Sequence, residues 1–332
     1  MAGKMVSVVT GGAGFIGSNL VNKLLDFGHT VIAVDNLITG RVENLTEAIR
    51  NSQFSFIQAD VIKGLPEISD VTHVWHLASP ASVEGYQNNP EETALVNSVG
   101  TRNALIFAKE HNTRLIYTST SEVYGDPKQH PQKETYWGNV NPNGVRSCYD
   151  ESKRYGEMMT LLYHTKHGVD TRIARIFNTY GPNMKANDGR VVSNFINQAL
   201  VHKPLTVYGD GLQTRSFCYV SDQVAGLISL MEKEKANGEV VNIGNPEEYT
   251  VIDLAKKIIF LTNSTSEIVY SKLPSDDPVK RCPDITKAKE LLDWEPVVSV
   301  DEGLKKTIVY YRQQLTPACK RLSVAMAGRV NS

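Results

Sequence analysis

The chain has 332 residues, enough for two domains and a buried core at roughly 150 residues per domain. Thirty-five Lys and Arg against thirty-six Asp and Glu give a formal charge of −1, so there is no basic surplus to hold a nucleic-acid backbone or an anionic membrane surface. A composition 41% hydrophobic and 21% charged fits a folded globular protein, and no apolar run approaches the roughly 18 residues of a transmembrane helix.

In chain order, residues 5–10 (MVSVVT) predict a short apolar strand, 15–27 repeat apolar residues at helical spacing, and 30–34 (TVIAV) predict strand again. Further buried strands are expected at 54–57, 74–78, 114–118, 171–176 and 240–243, and long helices at 91–110 and 149–167. This alternation predicts an α/β protein with a doubly wound parallel sheet covered by helices. After about Gly181 the rhythm breaks, and Gly and Pro become frequent (GPNM, NDGR, KPLTVYGDG). The expected division is a first domain over 1–180, a smaller mixed α/β domain over 181–315, segments near 217–243 returning to the first, and a loose tail over 316–332.

The first strand runs directly into Gly11-Gly12-Ala13-Gly14-Phe15-Ile16-Gly17, where Gly12, Gly14 and Gly17 carry the G-x-G-x-x-G spacing and a helix follows. The glycines serve a tight turn, close approach of backbone to a pyrophosphate, and close helix-to-sheet packing. Asp35 closes the second strand 18 residues beyond Gly17. A carboxylate there accepts hydrogen bonds from ribose hydroxyls and repels a 2′-phosphate, which favours NAD over NADP. The first domain is therefore expected to be a Rossmann-type NAD-binding unit.

The four cysteines, Cys148, Cys218, Cys282 and Cys319, show no Cys-x-x-Cys spacing, so neither a disulfide framework nor a zinc site is expected. His73 with His76, and His164 with His167, lack a third ligand nearby and are expected to be packed or solvated, with no metal. The opening MAGKMVSVVTGG reaches glycines too soon for a secretory leader or a preceding anchor, which sets a cytoplasmic expectation without a membrane.

Tyr149 and Lys153 lie one helical turn apart, and a cation beside a phenol is expected to lower its pKa toward the range of a base. Fourteen tyrosines make roughly one such spacing expected by chance. The company is Thr118-Ser119-Thr120-Ser121-Glu122-Val123-Tyr124-Gly125, a hydroxyl cluster at the carboxyl end of a strand. Together with the glycine motif, these segments resemble the short-chain dehydrogenase/reductase superfamily, and the length and the TGGAGFIG form resemble its extended branch, which acts on nucleotide sugars.

Within that branch, 4,6-dehydratases carry Asp-Glu where this chain has Ser121-Glu122, and a serine is too weak an acid to expel a C6 hydroxyl. The Ser-Glu pair resembles the UDP-glucuronate decarboxylases, or UDP-xylose synthases. That resemblance covers roughly residues 4–311, through HLASPAS, TSTSEVYGDP, ARIFNTYGP, NDGRVVSNFI, PLTVYGDGLQTRSF, GNPEEYT and the DPVKR run ending at Arg281. Val83-Glu84-Gly85 and Cys282 depart from the pattern outside its core machinery.

The resemblance implies conversion of UDP-glucuronate to UDP-xylose and CO2 through a 4-keto sugar, with NAD recycled in place. It implies an NAD site built from Gly11, Gly14, Phe15, Ile16, Gly17, Asp35, Asn36, Asp60, Val61, Leu77, Ala78 and Ser119, with Tyr149 and Lys153. Tyr149 is expected as the acid-base group, Lys153 as its tuner, and Ser119 or Ser121 as the hydroxyl partner of Tyr149 or of C4–OH. Glu122 and Arg281 are expected near the substrate carboxylate. Arg190 and Arg215 are expected as pyrophosphate clamps, with Tyr86, Asn178, Val192, Tyr208 and Arg281 around the substrate; either arginine could instead be a surface charge. The resemblance further implies a homodimer pairing helices 91–110 and 149–167. Rival readings are an enzyme that releases UDP-4-keto-pentose, a UDP-sugar 4-epimerase, and a catalytically silent NAD-binding sensor.

Overall fold

A computed structural model describes residues 5–186, 188–272 and 280–315. The expected tail over 316–332, Cys319, Asn187 of the NDGR segment and the DPV of the DPVKR run lie outside the described residues.

The first block alternates strand and helix: β1 (Val6–Thr10), α1 (Phe15–Asp26), β2 (Thr30–Asp35), β3 (Phe54–Gln58), β4 (His73–His76), α2 (Val83–Asn88), α3 (Pro90–Leu95), α4 (Thr101–Glu110), β5 (Arg114–Thr120), α5 (Ser147–His167) and β6 (Thr171–Ile176). The helix expected over 91–110 is α3 and α4 joined by a π turn at Val96–Gly100, opened by Pro90 at a position where its missing N–H costs nothing. The strand expected at 74–78 ends instead at His76, after which the Leu77 N–H makes the last ladder bond, to the Thr10 carbonyl, and the Ala78 backbone stands close against Gly11.

The chain continues through β7 (Thr179–Tyr180), α6 (Val191–Leu200), β8 (Leu205–Tyr208), β9 (Thr214–Ser216), β10 (Cys218–Tyr219), α7 (Val220–Glu232), β11 (Val240–Ile243), β12 (Glu248–Thr250), α8 (Val251–Thr262), β13 (Ile268–Ser271), β14 (Lys280–Arg281), α9 (Thr286–Leu292) and α10 (Val300–Leu315). β11 returns to the main sheet, pairing in parallel with β6. The seven strands run β11-β6-β5-β4-β1-β2-β3, all parallel.

Every residue of β1 is buried, as a parallel strand covered on both faces requires. Because successive side chains point to opposite faces, Val9, Ala33 and Ile116 pack into one apolar core with α1 and α7, while Val8, Val34 and Leu115 pack into the other with α4. The strand order reverses between β1 and β4, and the crevice beyond the carboxyl ends of the strands there is where ligands of open α/β sheets bind. A second small sheet, β12-β9-β14, sets Arg215 and Arg281 in register beside each other.

Candidate active site

A cavity of about 1010 Å³ opens at this crevice, and every site residue expected from the sequence lines it. Its floor is the glycine turn. Gly11 has φ +71°, and a Cβ there would meet the backbone of Leu77 and Ala78 at 2.8 Å; a Cβ on Gly17 would stand 2.1 Å from the Gly11 carbonyl oxygen. Gly14 caps α1 without a side chain, and no acidic residue stands in the first turn. The first N–H groups of a helix lack intrahelical acceptors, so Phe15, Ile16 and Gly17 present them to an anion.

Asp35 is buried and accepts from the Ala13 and Leu37 N–H groups at 3.0 and 2.8 Å. Burial pushes its carboxyl above the usual range, opposed by those two bonds. Asp60 accepts from the Ile62 N–H at 3.0 Å, and Asn36, Val61, Leu77 and Ala78 complete this end. A backbone cradle that admits no Cβ, with a carboxylate at the end of β2, fits a dinucleotide. Gly17→Ala is expected to cost about 1–3 kcal/mol through overpacking and to weaken NAD binding at least tenfold, read by thermal melting and NAD titration.

Tyr149 and Lys153 enter from the first turns of α5, both buried. Lys153 Nζ donates to the Thr118 carbonyl at 2.9 Å and lies 5.8 Å from the Tyr149 ring centroid. Tyr86 stacks on Tyr149 with centroids 5.2 Å apart and planes 11° from parallel. The expectation that Lys153 draws the phenol pKa down is not met: burial pushes Tyr149 up, and the relief comes from a hydrogen bond with Thr120 and the charge of Arg190. Burial also lowers Lys153 to about 7, opposed by Glu157.

The hydroxyls sort differently from the expectation. Ser119 donates to Glu157 Oε1 at 2.6 Å, and Glu157 is clasped by Arg175. Ser121 accepts from Arg281 Nη1 at 3.0 Å. Thr120, between them, is the hydroxyl that draws the Tyr149 phenol down against burial, and it also accepts the Glu122 N–H as β5 ends.

Glu122 sits between two guanidiniums. Arg281, only 2% exposed, reaches Glu122 Oε1 at 3.0 Å and the Gly125 carbonyl at 2.8 Å, and Arg146 pairs with the other carboxylate oxygen. Burial opposes the charge on Glu122, yet Arg281, Arg146 and Arg215 outweigh it and hold the carboxyl below its usual range. Asp150, 3.9 Å from Arg146, is pushed up to about 7 by burial and by the charge of Glu122. Arg146 and Asp150 were not among the expected residues; the i, i+4 spacing of an Arg and an Asp flanking Tyr149 is the one local signal that could have found them.

At the far end, Asn178, Val192 of α6 and Arg215 line the wall, with Tyr208 at the mouth. Arg215 donates to the Thr214 carbonyl at 2.8 Å. Arg190 is held by the buried Asp188 carboxylate at 2.7 Å, an anchor the sequence reading missed, and its guanidinium lies 5.9 Å from the Phe15 ring centroid.

Residues 8–307 match the family model described as GDP-mannose 4,6 dehydratase. UDP-glucuronic acid decarboxylase 2 of Arabidopsis thaliana is 54% identical over 320 residues, covering 96% of this chain and 71% of that protein. The chain belongs to the UDP-glucuronic acid decarboxylases, in the extended short-chain dehydrogenase/reductase superfamily. Among this family, UDP-glucuronic acid decarboxylase 1 of Xenopus tropicalis is 52% identical, covering 93% of this chain and 72% of that protein. A UDP-glucuronic acid 4-epimerase from Bacillus cereus, solved with UDP-glucuronic acid and NAD, superposes with a TM-score of 0.84 at 29% identity, covering 93% of this chain and 99% of that one.

In this decarboxylase His73 and His76 are buried, His164 is half-buried and His167 is exposed. His76 bonds Thr10 and Thr101 at 2.8 and 3.2 Å, and burial lowers it to about 3. His73 bonds Thr72, and His164 contacts the Val169 carbonyl. Cys148, Cys218 and Cys282 are unpaired, and among the described residues no helix is long and apolar enough to cross a membrane.

Proposed function

We propose that the chain converts UDP-glucuronate to UDP-xylose and CO2, with NAD held throughout. The observation that carries this reading is the Glu122 carboxylate clamped by Arg281 and Arg146 in the same cavity as Tyr149, Thr120 and Lys153. The glycine cradle with Phe15 and Ile16 would hold the pyrophosphate of NAD, and Asp35 would hold its adenosine ribose. NAD held there would supply a reversible hydride acceptor for C4, so that no net oxidant would be consumed.

Tyr149 accepts the proton of the C4 hydroxyl, with the Thr120 hydroxyl and the Arg190 charge favouring the phenolate. A ketone at C4 is β to the C5 carboxylate, so the C–C bond to the carboxylate breaks with its electron pair passing to the ketone oxygen as an enolate. Glu122 and Arg281 orient the water that protonates C5. Tyr149 then returns its proton to the C4 oxygen. Arg190 and Arg215 neutralise the UDP pyrophosphate, and Tyr86, Asn178, Val192 and Tyr208 shape the rest of the substrate pocket.

NMR of the products from UDP-glucuronate tests this: UDP-xylose and CO2 in equal amounts without net NADH are expected. A retained carboxylate would identify an epimerase, and a 4-keto-pentose with NADH would identify a truncated reaction. No CO2 release with NAD bound would identify a silent sensor.

The chain acts as a homodimer through α3, α4 and α5. Leu95, Val99, Tyr155, Met158 and Leu162 expose apolar side chains on these neighbouring helices, which a four-helix contact with a second copy would bury. Light scattering should give twice 36.8 kDa, and Met158→Glu with Leu162→Asp should give the monomer. A cytoplasmic location is supported by the unpaired thiols among the described residues; cell fractionation tests it.

A further inference from the structure

Outside the catalytic cavity, the fold brings together three side chains far apart in sequence. His130 comes from the loop after β5, Glu248 from β12, and Cys282 from the residue following Arg281 on β14. One ligand atom from each, His130 Nδ1 or Nε2, a Glu248 carboxylate oxygen and Cys282 Sγ, falls within 4.8 Å of the others. None of the three lines the catalytic cavity. We propose that His130, Glu248 and Cys282 form a binding site for a divalent cation of the zinc class, with water as the fourth ligand.

The donor set is that of zinc: one imidazole, one carboxylate and one thiolate, leaving a fourth tetrahedral position open. Zinc bonds of roughly 2.0–2.3 Å place tetrahedral ligand atoms about 3.3–3.8 Å apart. His130 Nε2 and Glu248 Oε2 stand 2.9 Å apart and the widest separation in the group is within 4.8 Å. Small side-chain rotations therefore open the first pair and close the thiol onto the cation.

The second layer of contacts is already built. Glu248 Oε1 accepts from the Thr214 hydroxyl at 2.6 Å, which fixes the carboxylate and leaves Oε2 for the cation. Cys282 is held through its backbone on both sides of one residue: its N–H donates to Gln132 Oε1 and its carbonyl accepts from the Gln132 N–H, both at 2.9 Å. Gln132 itself is fully buried, and its carbonyl accepts from Asn242 at 3.0 Å. The thiol is directed at the Pro246 carbonyl at 3.3 Å; binding releases the thiol proton to solvent as the sulfur-metal bond forms. The His130 and Glu248 side chains are 34% and 27% exposed, which provides the entry path. A cation there would tie the 130 loop and β12 to the strand that positions Arg281.

The test uses the full-length, NAD-loaded protein after chelator treatment, titrated with Co2+ and then displaced with Zn2+. One Co2+ per chain is expected, with a near-ultraviolet thiolate-to-cobalt charge-transfer band that zinc abolishes. Cys282→Ser should eliminate the band, His130→Gln should weaken binding at least tenfold, and Cys148→Ser should leave both unchanged. His130 is a partly exposed loop residue, so its variant keeps the test decisive even where Cys282→Ser fails to fold. A wild type without the thiolate band, a band that survives Cys282→Ser, or an affinity unchanged by His130→Gln overturns the proposal.

Discussion

Tyr149→Phe is expected to lower the rate of CO2 release and of UDP-xylose formation together by about 10³-fold, within the range for a lost acid-base group, while NAD affinity changes by less than about threefold. The phenyl ring retains the stack on Tyr86, and Lys153 keeps its bond to the Thr118 carbonyl, so the wall of the cavity stands. Only the hydroxyl is removed, and with it the group that exchanges a proton with the C4 oxygen. Thr120→Val provides the graded companion. The Thr120 hydrogen bond lowers Tyr149 against the upward push of burial, so its removal raises the phenol further, and the rise of kcat with pH should move to higher pH. Parallel measurements of CO2 release and product formation across pH check both variants; a Tyr149→Phe enzyme within tenfold of wild type removes Tyr149 from the acid-base role.

The parallel sheet and the glycine turn were legible because their signals are local. Strands buried on both faces are short continuous apolar runs, as in Val6–Thr10 and Thr30–Asp35, and a glycine at Gly17 answers to a carbonyl only six residues away. The hydroxyl partner of Tyr149 was not legible, since Ser119, Thr120 and Ser121 are adjacent and chemically alike. Their roles separate only when Glu157 takes Ser119 and Arg281 takes Ser121. The sign of the Tyr149 shift was missed for a related reason: spacing reveals a neighbouring lysine, whereas the larger effect is desolvation by side chains brought in from elsewhere. Arg146 and Asp150 acquire meaning only against Glu122, 24 residues away from Arg146, and the His130, Glu248 and Cys282 group depends on long-range pairing of β12 and β14 around β9.

Glu122→Gln should reduce UDP-xylose formation by about 10²-fold or more, and its pH signature separates a chemical role from a structural one. The amide keeps the shape and can still accept from Arg281, but it leaves Arg281 and Arg146 without the carboxylate that neutralises them. Removing one partner of a buried ion pair typically costs about 3–5 kcal/mol. Here Asp150 can relieve part of that cost. Its carboxyl stands at about 7 because of burial and, next, the charge of Glu122; without that charge its pKa falls and it ionises beside Arg146 at neutral pH. The linkage sign follows. In the wild type Asp150 holds its proton more tightly folded than unfolded, so its contribution to stability is present at acid pH and is lost as pH rises from 3.8 through about 7. In Glu122→Gln that window should narrow, giving a flatter dependence of melting temperature on pH between those values. Retention of wild-type rates for both CO2 release and xylose formation would remove Glu122 from the chemistry, whereas a slowed reaction with an unchanged pH profile of stability would remove the coupling to Asp150 and leave the catalytic assignment standing.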